Sequence, residues 1–124
     1  MTIKPMTTKK TNPDFLNGVP ELLILKLLDG RPMHGYDLVE AIKTSSGMQL
    51  EFGKGCIYPI LHRLEAQNYL SSRRESVGGR SRIIYRVTKK GEKRLIESWQ
   101  TWKQVVTGIT AVLEGGGHGK PAMA

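Results

Sequence analysis

A change of hydrophobic period after Leu70 is the feature that most limits how this chain can fold. Upstream, apolar residues recur every three or four positions, the spacing of one helix face. From Arg80 to Val87 they alternate instead, with Ile83, Tyr85 and Val87 on one side and Arg82, Ile84 and Arg86 on the other. Gly78-Gly79, between this run and the stretch before it, is a hairpin signal. Helical spacing then resumes and continues to Leu113. A 124-residue chain of this pattern is expected to be mainly α with a small β-hairpin, built as one domain.

Four helices are expected. The first starts near Gly18, with Pro20 in its first turn, and runs to Leu28, where Asp29-Gly30-Arg31-Pro32 stops it. The second covers about ten residues after His34-Gly35-Tyr36, and residues 48–54 form a short connection. In the third, Ile57, Ile60, Leu61 and Leu64 share one face. Proline is at home only in a first turn, so Pro59 sets the expected N-cap near Gly55 or Cys56. The fourth helix begins after Thr88-Lys89-Lys90-Gly91. Its residues Leu95, Trp99, Trp102, Val106, Ile109 and Leu113 form a heptad-like seam, too broad with Ile96, Val105 and Val112 for the chain's own core. A second copy of the chain is the simplest partner for it. The expected division is a flexible tail over 1–17, a unit of three helices and the hairpin over 18–90, a dimerisation helix over 91–114 and a flexible tail over 115–124.

Charge points to the partner. Residues 54–94 hold eleven bases against three acids, which accounts for the whole net charge of +8; the rest of the chain is balanced. A local basic block suits a polyanion such as nucleic acid. One cysteine, Cys56, excludes an internal disulfide framework and fits a reducing, cytoplasmic setting. Its place near a helix start admits either a reactive thiolate or a small inert residue. No apolar run approaches the roughly 20 residues of a membrane span, and the first fifteen residues lack the apolar block of a secretory signal. His34, His62 and His118 form no metal set with Cys56, no cofactor is implied, and no phosphate-binding glycine loop or nucleophile elbow marks an enzyme.

Three helices followed by a basic hairpin is the order of a winged helix-turn-helix, whose third helix enters the major groove while the wing meets the adjacent backbone. Lys54 precedes the third helix, and a helical wheel turns Pro59, His62 and Arg63 outward with Tyr58 on a flank. Tyr58 suits a phosphate and Tyr36 a structural role; His62 is either a DNA contact or plainly exposed. Arg63 is expected to read guanine, whereas Arg73, Arg74, Arg80 and Arg82 in the wing are expected to reach the DNA, mainly its phosphates. A winged-helix module that binds protein instead of DNA is the alternative, since fold alone does not set function.

His34-Gly35-Tyr36, the run Ile57-Tyr58-Pro59-Ile60-Leu61-His62-Arg63-Leu64-Glu65, and the wing residues Gly79-Arg80, Arg82, Tyr85, Val87-Thr88 and Gly91 resemble the PadR family of transcriptional regulators, in its short class with one C-terminal dimerisation helix. The resemblance covers roughly residues 18–113. It implies a homodimeric repressor on a palindromic operator in double-stranded DNA, released by a small, often aromatic effector. It also implies that Trp99, and less readily Trp102, could stack on such an effector; both could equally fill the dimer seam. Cys56 departs from the threonine more usual in the family, and Ile83-Ile84 from a more basic or aromatic pair.

Overall fold

A computed structural model describes residues 18–115; the expected tails, Gly115 apart, lie outside them. In chain order the elements are α1 (Val19–Gly30), β1 (Met33–His34), α2 (Gly35–Ser45), α3 (Lys54–Ala66), β2 (Leu70–Val77), β3 (Arg80–Val87) and α4 (Lys89–Leu113). The apolar stripes of the first three helices meet in one core. Ile24 and Leu25 of α1, Leu38 and Ile42 of α2, and Ile57, Leu61 and Leu64 of α3 are all fully buried. Burying each such side chain stabilises the fold by about 1.5–3 kcal/mol before entropy is counted. Phe52, in the segment expected as a mere connection, is also wholly enclosed and anchors the chain just before α3.

The wing is a sheet of order β1-β3-β2, antiparallel throughout. Val77 pairs with Arg80 across Gly78 and Gly79, whose φ angles of 58° and 80° are left-handed. Two consecutive left-handed residues are the requirement of a type I′ turn, which explains the Gly-Gly. The short β1 was absent from the sequence reading: Met33 and His34 pair with Tyr85 and Ile84. This pairing gives β3 a neighbour on each edge. Ile84 is buried beside Tyr85, because strands flank β3 on both edges and Ile84 stands between His34 and Arg73.

The start of α3 differs from the N-cap expected near Gly55 or Cys56. The N-cap is Gly53 and α3 begins at Lys54, so Pro59 lies inside the second turn and does not mark the start. Cys56 and Ile57 already donate to the Gly53 carbonyl, at 3.0 and 3.1 Å. What the proline removes is the one bond that its own N–H would give to Gly55. Gly55 is exposed, so water can meet the carbonyl that lacks this donor. The helix therefore carries the proline at the cost of a single bond near its exposed end.

Thr88 caps α4: its Oγ1 accepts from the Gly91 N–H at 3.0 Å and donates to the Asn68 carbonyl at 2.7 Å. The front of α4 lies against α1, and Leu95 and Trp102 turn into the chain's own core. Two of the six seam residues are thus already covered within one chain. Trp99, Val106, Ile109 and Leu113 stay exposed, together with Ile96, Val105 and Val112, and every residue from 103 to 114 is open to solvent. Thr88→Ala should lower the unfolding free energy by about 1–2 kcal/mol, the upper range for a lost N-cap, measured by urea denaturation. An unchanged midpoint would show that the cap does not hold the wing to α4.

Candidate nucleic-acid interface

The starts of α2 and α3 and the strand β3 converge on an open cleft of about 550 Å³. His34, Tyr36, Tyr58, His62, Arg80 and Arg82 line it, with Ile83 and Tyr85 behind. Gly35 explains how the helices come this close. A Cβ on Gly35 would overlap the Tyr58 ring, so glycine lets the tyrosine pack against the start of α2. The Tyr36 ring stacks on His34 at 6.4 Å between centroids, and Lys54 Nζ sits 5.3 Å from the Tyr36 centroid. Arg82 Nη1 lies 2.6 Å from His34 Nε2. The same nitrogen lies 3.1 Å from Asp37 Oδ2, so it can accept from the guanidinium or donate to the carboxylate but not both. Burial raises the Tyr85 hydroxyl above its ordinary range, helped by the nearby Glu65 and Tyr58, which keeps the floor of the cleft neutral.

The basic block is divided by two glutamates. In the wing, Glu75 Oε2 takes Arg73 Nε at 2.9 Å and Arg86 Nη2 at 3.1 Å, and these guanidiniums, Arg73 first, hold its carboxyl below the usual range. In the helical body, Glu21 takes Arg63 Nη1 at 3.1 Å on one oxygen and Arg94 Nε at 2.9 Å on the other. Four of the eleven cations are therefore engaged by acids. Arg74 bonds the Ser81 hydroxyl at 3.2 Å. Among the described residues no carboxylate is in ion-pair contact with Arg74, Arg80 or Arg82.

The sequence-derived residues are thereby sorted. Tyr58, His62, Arg80 and Arg82 share the cleft, with Lys54 at its edge and Pro59 exposed on α3. Arg63 leaves the outward flank of α3 as the helical wheel suggests, but its long side chain reaches back to α1. Cys56 is half-buried against the core, and burial pushes its thiol up, away from the thiolate that a helix start alone would favour. The tryptophans occupy different clefts. Trp99 borders one of about 400 Å³ with Leu22, Leu23, Lys26, Leu95 and Ile96; Trp102 borders another with Gly18, Glu21 and Arg94. Glu21 was not anticipated, although an acid beside the run Leu22–Leu25 was a visible signal. Among the described residues no group of three His, Cys, Asp or Glu could hold a metal, and no helix is long and apolar enough to cross a membrane.

Three packed helices, a flanking hairpin wing and a cleft of tyrosines, histidines and arginines define a winged helix-turn-helix of the kind used by transcriptional regulators. Residues 24–97 match the transcriptional regulator PadR-like family, and the chain belongs to it. It is 33% identical over 84 residues to a transcriptional regulator of Mycobacterium tuberculosis, an overlap of 68% of this chain and 76% of the relative. Among solved structures, a PadR family transcriptional regulator from Eggerthella lenta superposes with a TM-score of 0.71 at 29% identity, covering 82% of this chain and 87% of that one. A PadR-like transcriptional regulator from Bacillus cereus gives 0.70 at 28% identity, covering 81% and 96%.

Gly35→Ala should destabilise the protein by about 1–3 kcal/mol, the range for overpacking, because the tyrosine must leave its place. Thermal unfolding and the Tyr58 ring resonances check this. A variant with wild-type stability and unshifted rings would show that Tyr58 is not seated by the glycine.

Proposed function

We propose that the protein is a homodimeric repressor that binds a palindromic operator in double-stranded DNA and is released by a small planar aromatic effector. The observation that carries the DNA reading is the cleft, where two wing arginines free of carboxylate partners face the start of α3. In this reading α3 presents Tyr58, Pro59 and His62 to the major groove, with Lys54 at the phosphate beside the helix start. Arg74, Arg80 and Arg82 neutralise backbone phosphates. Arg73, tied to Glu75, contributes less. The exposed apolar residues of α4, from Trp99 through Val106 and Ile109 to Leu113, support pairing with a second copy. The apolar cleft under Trp99 supports a ligand that alters how α4 meets α1 and thereby changes the spacing of the two recognition helices.

Binding should be steep in salt. Each arginine that neutralises a phosphate contributes about 0.9 to the slope of log affinity against log salt, so Arg80→Ala should flatten the slope by that amount per protomer and weaken all sequences alike. A gel shift with DNA upstream of its own gene tests the reading as a whole: no specific shift, even at low salt, would refute it. Val106→Asp with Ile109→Asp should give a monomer by sedimentation and reduce operator affinity by more than about a hundredfold, since the two half-sites then bind independently. Quenching of tryptophan fluorescence by planar aromatics, lost in Trp99→Phe, checks the effector.

A further inference from the structure

We infer that Glu21 is a positioning residue for DNA binding, a clamp through which α4 fixes the place of the recognition helix. The inference rests on the DNA-binding reading above. Glu21 is the one buried charged residue among those described, with its side chain only 11% exposed. Its two oxygens go to different helices: Oε1 accepts from Arg63 near the end of α3, and Oε2 accepts from Arg94 in the front of α4. Among the described residues no other ion pair joins α3 to another helix or α4 to any other element. A carboxylate beside a leucine run is not needed for packing, because an apolar residue of similar volume commonly serves a buried site as well or better. What the carboxylate adds is direction. It fixes a distance and an orientation where apolar contacts leave helices free to slide.

Each arm of the clamp leads to a functional surface. Arg63 is adjacent in sequence to His62 and five residues from Tyr58, both of which line the DNA cleft. Its Nη1 also lies 3.5 Å from Gln67 Oε1, just past the helix end, so α3 is held at its C-terminal cap. Arg94 is braced from behind by the Tyr69 ring, 5.1 Å away, and precedes Leu95, which enters the core. The exposed half of α4 follows on the same helix. A shift of α4 thus reaches α3 through two bonds and one carboxylate, and Arg63 acts within the protein and not on a base.

Operator affinity measured by fluorescence anisotropy across a salt series tests this, using a fragment that the wild-type protein selects from random-sequence DNA. Glu21→Gln, Arg63→Met and the double variant should each lose about tenfold in operator affinity, a typical size for a coupling residue, with the wild-type salt slope retained. The double variant should lose no more than either single one. Arg94→Met, which removes the other arm, should weaken binding to a similar extent. Circular dichroism and thermal unfolding establish that each variant is folded; if Glu21→Gln is not, the two arginine variants carry the test. The clamp is overturned if Arg63→Met flattens the salt slope by about one phosphate contact per protomer or relaxes the choice of a single base pair, either of which makes Arg63 a direct DNA contact. It is also overturned if Glu21→Gln or Arg94→Met binds like wild type, or if the losses multiply in the double variant. A wild-type protein that selects no sequence refutes the DNA reading itself, an outcome separate from any variant's behaviour.

Discussion

Everything in this fold rests on α1. The twelve-residue helix touches α2, α3, α4 and β3, so α3, the wing and the long C-terminal helix all take their positions from it. Its apolar face supplies Ile24 and Leu25 to the core, and its remaining flank receives Leu95 and Trp102 of α4. Such a hub has to satisfy two kinds of contact. The leucines and isoleucines supply burial, which is strong and non-directional. The single carboxylate among them supplies the direction that burial lacks, and it does so without leaving a buried charge unpaired.

The two glutamates give the basic block a structure that net charge hides. One is set in the helical body and the other in the wing, and each binds two arginines. Those arginines organise the protein, while Arg74, Arg80 and Arg82 remain without acidic partners around the cleft and wing. A count of cations therefore overstates the charge that a polyanion would meet. The cleft is also not simply positive: its histidines and tyrosines offer hydrogen bonds and ring faces alongside the two guanidiniums.

Most of the fold was legible because its cues are local. The 3.6-residue spacing of Ile57, Leu61 and Leu64 and the Gly78-Gly79 turn each act within a few positions, whereas α4 starts at Lys89, earlier than expected, on the Thr88 cap. What sequence missed depends on neighbours brought from afar. β1 is two residues long, follows Arg31-Pro32 and exists only because β3 offers it an edge. Alternation divides β3 into two faces but does not show that Ile84 is buried, which follows from strands on both edges. Proline's usual penalty points to a helix start, but here only one bond near the exposed end of α3 is lost, where water can replace it. Arg63 was correctly placed on the outer flank of its helix, but a wheel shows where a side chain leaves and not where it ends. Its partner Glu21 lies 42 residues away, and Arg94 lies 73 from that same glutamate.

The bare second half of α4 has a thermodynamic consequence. From residue 103 to 114 no described residue buries the helix, and valine, isoleucine, threonine and Gly108 give it weak intrinsic helicity. Whatever covers that face must therefore also order it, so helix formation and docking become one event. Calorimetry of such an association would register a heat-capacity decrease larger than a rigid interface of that area produces, because folding surface is buried along with docking surface. The length of helix that is formed then becomes a function of how much partner is present.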